Sequence, residues 1–223
     1  FLILLISFFA RFVAIYFYAD TELTNEWGII FHNFKTSGVL GYNVALGEYH
    51  AIPKLAVSGE KVLPTIFMPP LYFYFIFFID YLSNNYFSTV NFIIIFQILL
   101  SLISILIFYK IIIQREKNDL SIFLTSLFAF FPLNIYSSVQ ISSITLQIFL
   151  VLCFFFFLLN LNKEIRIKDV VFFSFFSGLL ILIRGEFFLF YFITLTYFFL
   201  YEVRKIKVII ISLALTLITI SPY

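Results

Sequence analysis

Long apolar runs alternate with short polar connections along most of this chain, and one polar stretch is far longer than the others. Apolar segments lie near 1–19, 66–82, 89–109, 120–137, 141–160, 169–183, 187–201 and 207–221. A helix that crosses a bilayer core of about 30 Å needs about 20 mostly apolar residues. The pattern therefore predicts an all-α, polytopic transmembrane helical bundle. Inside the long polar stretch, residues 24–36 read as an amphipathic helix at the membrane surface. Trp27, Ile30, Phe31 and Phe34 recur there at spacings of three and four. Thr24 or Asn25 suits its N-cap, Ser37-Gly38 closes it, and His32 falls on its polar face. Residues 66–82 form a shorter run that Pro69-Pro70 can start. As a helix, Leu71 to Leu82 covers only about 18 Å. Its Tyr72, Tyr74, Asp80 and Tyr81 are residue types of a membrane interface. The segment is expected to lie on, or dip into, the outer leaflet.

Charge orients these elements. Nine of the fourteen basic residues fall in three alternate connections: Lys110, Arg115 and Lys117; Lys163, Arg166 and Lys168; Arg204, Lys205 and Lys207. The positive-inside rule puts all three in the cytoplasm. With 66–82 not spanning, residues 20–88 become one extracytoplasmic loop carrying juxtamembrane helices. The first helix then runs outward and six more crossings follow. The third of the seven, 120–137, is interrupted by Pro132, and the fifth and sixth form a hairpin around Arg184-Gly185-Glu186.

Composition agrees with this class. The chain is 63% hydrophobic and 12% charged, with mean hydropathy +1.09, too few charges to cover a soluble surface. A net charge of +2 gives no general attraction for nucleic acid. The single Cys153 sits in an apolar run, so it forms no intrachain disulfide and belongs to no metal-type pattern. Residues 1–19 lack the charged leader and cleavage site of a secretory signal. The chain begins at Phe1 and ends at Tyr223, each in an apolar run, and is read as a fragment of a longer protein. No repeat or linker divides it, so 1–223 reads as a single transmembrane domain.

The candidate chemistry collects in the first loop. It holds Asp20, Glu22, Glu26, Glu48, Glu60 and Asp80, both histidines (His32 and His50) and the only tryptophan, Trp27. Asp20 follows the first helix directly, so that helix fixes its depth at the water–lipid boundary. A carboxylate there can take a proton from a hydroxyl nucleophile; the plainer reading is that the acids solvate a loop. Arg184, at an outer turn, suits a carrier phosphate, which a guanidinium grips in a fork, or it pairs locally with Glu186 or snorkels. Arg11, inside a span, is a candidate by position or snorkels as well. Lys54 and Lys61 flank the Pro-Pro helix and can meet phosphate or simply be solvated. His32 and His50 are not spaced as a metal site. The hydroxyls from Tyr136 to Ser143 either line a sugar pocket or satisfy backbone freed by Pro132.

The order of motifs resembles a family. Asp20-Thr21-Glu22 is followed by an amphipathic helix ending at Gly38. Then come Pro69-Pro70-Leu71-Tyr72-Phe73-Tyr74, a helix ending in basic residues, Phe131 to Ser138 (Phe-Pro-Leu-x-x-Tyr-Ser-Ser), and Gly178 to Arg184 (Gly-Leu-Leu-x-Leu-x-Arg). This order is similar to the N-terminal half of the GT-C glycosyltransferases, in the protein O-mannosyltransferase and aminoarabinose-transferase branch. The resemblance implies a multi-pass protein of the bacterial inner (plasma) membrane. Such an enzyme moves a sugar from a polyprenyl-phosphate donor to a lipid, glycan or protein acceptor on the extracytoplasmic face, amid membrane lipids and without nucleic acid.

It also implies Asp20 as the base, with Glu22 second and Glu26 in support. Arg184, Lys54 and Lys61 would lie at the donor phosphate, and Tyr72, Tyr74, Tyr136 and Gln140 in the substrate pocket. It assigns no metal ligand and no certain cofactor, leaving a divalent metal open. Two departures stand out. Thr21 separates the two acids, so either Asp20 or Glu22 fits the base. No acid follows the Tyr136 stretch, where many relatives carry one. The competing class is a transporter or flippase for a lipid-linked glycan, which would spread charge through several spans. Here the acids gather in one loop, which favours an enzyme.

Overall fold

The computed structural model describes residues 1–23, 26–43, 62–64, 70–83, 88–163, 166–201 and 206–221. Ten helices carry the fold among these residues: α1 (Leu2–Tyr18), α2 (Glu26–Ser37), α3 (Pro70–Ser83), α4 (Thr89–Ile112), α5 (Asn118–Ala129), α6 (Pro132–Ser137), α7 (Ile144–Lys163), α8 (Ile167–Ile183), α9 (Phe187–Tyr201) and α10 (Ile206–Ile220). Two of them, Thr89–Ile112 and Ile144–Leu161, are long and apolar enough to cross a membrane; α1, α3, α9 and α10 are shorter apolar helices. The apolar runs thus became helices, and Pro70 opens α3 as expected. One feature was not expected. β1 (Gly41–Asn43) pairs antiparallel with β2 (Val62–Pro64), Gly41 opposite Pro64. The Asn33 side chain donates to the Gly41 carbonyl at 2.9 Å and so fastens this pair to α2.

Helix α2 ends as its sequence demands. Gly38 has φ +72°, a left-handed position that suits glycine, and its N–H donates to the Phe34 carbonyl at 2.9 Å. The apolar face of α2 packs on α3. Ile30 and Phe31 are buried, and Phe31 and Phe34 pack on Phe73 of α3. Lys35 of α2 pairs with Asp80 of α3 at 2.6 Å, and Asp80 accepts a hydrogen bond from Thr89 Oγ1 at 2.8 Å. One carboxylate therefore ties together three helices.

Small polar groups are packed among the apolar residues of the core, and many large apolar side chains face outward. Ser7, Arg11, Gln97, Ser101, Ser104, Ser174, Ser177, Ser212 and Thr216 are buried, while Phe9, Phe12, Phe188, Phe192, Ile193 and Leu217 are exposed. Small residues let the helices approach closely. A Cβ added to Gly178 on α8 would lie 2.6 Å from Thr219 Cβ on α10. Tyr191, Ser212 and Thr216 form a chain of hydroxyls between α9 and α10, and Thr216 reaches the Ser174 carbonyl of α8 at 3.2 Å.

The third expected crossing is not one helix. The chain breaks between α5 and α6 at Phe130-Phe131, just before Pro132, and stays irregular from Ser138 to Ser143 before α7 begins at Ile144. Proline lacks an N–H and cannot continue the hydrogen-bond ladder, so the last carbonyls of α5 lose their partners. Side chains replace them. Asn134 Nδ2 donates to the Phe128 carbonyl at 2.9 Å, and Arg11 Nη1 donates to the Ala129 carbonyl at 3.3 Å. Arg11 is fully buried and does not snorkel. Its Nε donates to Ser101 Oγ at 2.9 Å, and its Nη1 also meets the Ser7 carbonyl at 3.1 Å and the Ser7 hydroxyl. A cation at the C-terminal end of α5 also faces the negative end of that helix's dipole.

Arg11 thereby joins α1, α4 and α5. Arg11→Met, of similar reach but without donors, leaves the Ala129 carbonyl and Ser101 hydroxyl without this partner. We expect a loss of about 1–3 kcal/mol, read as a lower Tm for the detergent-purified protein. An unchanged or higher Tm would remove Arg11 from this role.

Candidate functional site

The candidate site is built at the bundle end where α1 leaves off. Short connections between successive helices place Tyr18, Ser88, the 138–143 turn and Arg184 at this end, and Lys110 to Lys117, Arg166, Lys168 and Lys207 at the other. Asp20, two residues beyond α1, is half-buried against the 138–143 turn. Its carboxylate Oδ2 accepts a hydrogen bond from the Ile141 N–H at 2.7 Å, and its own N–H donates to the Val139 carbonyl at 3.4 Å. The Gln140 side chain donates to the Tyr18 carbonyl, and the rings of Tyr18 and Tyr136 meet edge-on at 6.0 Å. The first-loop acid and the Tyr136 stretch, about 120 residues apart in sequence, thus form one constellation.

Beneath it lies a buried polar layer. Gln97 of α4 donates from Nε2 to the Tyr72 hydroxyl at 3.0 Å and to the Ser142 carbonyl at 2.8 Å. Tyr72 is fully buried under Trp27, whose ring meets it edge-on at 4.8 Å. Burial pushes the Tyr72 phenol above its ordinary value. The hydrogen bond from Gln97 opposes that shift, and the nearby Asp20 charge adds to it. The phenol therefore stays neutral. With no surface exposed, Tyr72 serves here as Gln97's partner rather than as a hydroxyl offered to a substrate.

The other sequence candidates divide clearly. Glu22 and Glu26 are exposed and make no side-chain hydrogen bond or ion pair among the described residues. Tyr74 and Tyr136 are each about half exposed, at 46% and 47%. Arg184 is exposed at the α8–α9 turn and forms no ion pair with Glu186. Lys54, Lys61, Glu48, His50 and Glu60 lie outside the described residues, as do the N-cap candidates Thr24 and Asn25. Among the described residues, no group of three or more His, Cys, Asp or Glu side chains comes together as a metal site. An apolar cleft of about 190 Å³ opens between α7, α8 and α9, lined by Phe154, Phe155, Leu180, Phe187, Phe190 and Tyr191. Phe187 and Phe190 follow Arg184 by three and six residues, so the cleft begins close to the turn that carries Arg184.

Gln97 was missed in the sequence. Its signal was an amide within the apolar run 89–109, four and seven residues before Ser101 and Ser104, and a buried amide must find partners.

No family model, curated protein or solved structure matches this chain. The site therefore rests on its own geometry. That geometry holds one carboxylate at a fixed place on a hydrogen-bonded turn, with an exposed tyrosine near it and, at the same end, an exposed arginine on the turn beside an apolar cleft.

Gln97→Leu removes both donors of the buried layer and leaves the Ser142 carbonyl unserved, so we expect a cost of about 1–3 kcal/mol. Tyr72→Phe leaves the Gln97–Ser142 bond intact and should cost less, about 0.5–1.5 kcal/mol. Thermal unfolding of both variants checks the ranking, and the reverse order would contradict this description of the layer.

Proposed function

We propose that this chain is a multi-pass membrane glycosyltransferase of the GT-C type, working at the extracytoplasmic face on a polyprenyl-phosphate-linked sugar. Two features support the membrane part. In the two long apolar helices, only 39% and 33% of the apolar window is buried; the core helix of a soluble protein would be mostly buried. The remaining helices also turn many Phe, Ile and Leu side chains outward while burying serines, threonines and one arginine, which suits a lipid surround. Under the positive-inside rule the basic end faces the cytoplasm and the Asp20 end faces outward.

One observation carries the functional part: Asp20 is locked by the Ile141 N–H at the outer bundle end, where a carrier phosphate would lie. One backbone hydrogen bond leaves acceptor capacity on the carboxylate. In the reaction proposed, the acceptor hydroxyl gives its proton to Asp20 as its oxygen bonds to the anomeric carbon. The bond from that carbon to the phosphate oxygen breaks, inverting the centre. The leaving polyprenyl phosphate takes the electron pair, steadied by Arg184, while the apolar cleft beside the Arg184 turn takes the first isoprene units. Tyr136 and Tyr74 are the exposed hydroxyls available to a sugar. Glu22, two residues on and exposed, is the alternative base.

A flippase or transporter would line a path with charge. Two charged side chains are buried among the described residues: Asp169 sits at the opposite end of the bundle, and Arg11, deep inside, donates to protein oxygens rather than lining a path.

The Asp20–Ile141 bond also gives Asp20 a structural use, and two substitutions separate the roles. Asp20→Asn keeps an oxygen for the Ile141 N–H but cannot take a proton. It should lower transfer in the full-length protein by about 10²–10⁴-fold with little change in Tm. Asp20→Ala should lose both activity and stability. If Asp20→Asn retains transfer, Asp20 is only a clasp and the base lies elsewhere; Glu22→Gln is then the variant that should fail.

A further inference from the structure

A second cavity, of about 430 Å³, opens at the opposite end of the bundle, between the last turns of α7 and the first turn of α8. Phe157, Asn160, Arg166, Lys168, Asp169 and Phe172 line it. Its chemistry differs from that of the Asp20 end. Asp169 is buried, at 6% exposed, and lines the cavity, yet its carboxylate has no hydrogen-bond or ion-pair partner among the described residues. A carboxylate that faces a cavity without an ion partner favours a donor there, best a cationic one. Lys168, one residue earlier, is exposed and likewise forms no ion pair among the described residues. The cavity thus offers a negative group within and a cation at the rim, over an aromatic wall. Phe157 stacks on Phe172 at 5.1 Å and on Phe176 at 5.6 Å, and this apolar wall continues along the α7–α8 groove.

The complementary ligand carries an ammonium and a phosphate a few bonds apart, joined to hydrocarbon. We propose that this cavity seats the phosphoethanolamine headgroup of a cytoplasmic-leaflet phospholipid. The ammonium donates to Asp169, the phosphate meets Lys168 at the rim, and an acyl chain runs along Phe172 and Phe176. The site rests on the membrane reading above but not on the sugar-transfer reading. It commits to a lipid because the aromatic wall continues beyond the polar cavity, where a free headgroup would leave it uncovered.

The test uses the full chain purified in detergent, with thermal unfolding followed in mixed micelles. Phosphatidylethanolamine should raise Tm by about 3 °C or more relative to phosphatidylcholine, whose trimethylammonium has no N–H to donate, and relative to phosphatidylglycerol, which has no cation. Asp169→Asn should erase that preference, and Lys168→Gln should reduce it if the first variant does not fold. Equal effects of the three lipids, a preference for phosphatidylglycerol, or an Asp169→Asn protein that still prefers phosphatidylethanolamine would overturn the proposal. So would equal stabilisation by soluble phosphoethanolamine, which has no chain to place on the aromatic wall. Recovery of the protein from the soluble fraction of cells would overturn the membrane reading as well. Recovery from membranes without the lipid preference would overturn this site alone.

Discussion

Backbone carbonyls and N–H groups freed inside an apolar bundle must find partners, and this fold is arranged around meeting that demand. An unpaired buried peptide group costs about as much as a lost hydrogen bond, or more. The chain interrupts its helices once in mid-bundle, at Pro132, and again across Ser138 to Ser143. Side chains from distant elements serve the groups exposed there: Asn134 at Phe128, Arg11 at Ala129, Gln97 at Ser142 and Asp20 at Ile141. Three of these four side chains come from outside the 118–163 segment they serve. The interruption that weakens the local ladder therefore binds α1 and α4 to it.

This constraint also shapes the candidate site. A loop acid following a helix would ordinarily wander with the loop. Here Asp20 is held because the irregular turn before α7 needs an acceptor for an N–H. The same bond that completes the turn orients the carboxylate. Arg11 does comparable work lower down, where a buried cation is tolerated because serines, two carbonyls and a helix C-terminus surround it. The guanidinium is not fully served, since Nη2 has no hydrogen-bond partner among the described residues.

Much of the helix layout was legible because long apolar runs leave few alternatives. The Pro132 break, the α2 face and its Gly38 stop follow from backbone chemistry that sequence displays directly. Periodicity names a face, though, and not its partner. The α2 stripe reads as the apolar face of a membrane-surface helix, and Trp27, Phe31 and Phe34 of that stripe pack on α3. Residue type suggests Tyr72 as an interface residue and the resemblance suggests it as a substrate contact, but neither shows its burial against Gln97. Gln97 shares a helix face with Ser101 and Ser104, four and seven residues on, but that spacing names no partner across the bundle. The β1–β2 pair spans three residues on each side, too short for alternation to show. Asp20, Tyr136 and Gln140 were each marked from the sequence. Their meeting was not, because it depends on a turn whose irregular path only the third dimension reveals.

The claim underlying all of this is that the Asp20 end of a membrane bundle faces outward, with α3 on the same side rather than spanning. Single cysteines at Thr21, Ser88 and Glu116, all exposed positions, in a Cys153→Ser background, test it with a membrane-impermeant thiol reagent. The account predicts that Thr21→Cys and Ser88→Cys label in intact cells, while Glu116→Cys labels only after permeabilisation. Labelling of Glu116→Cys in intact cells, or labelling of only one of the other two, would contradict it.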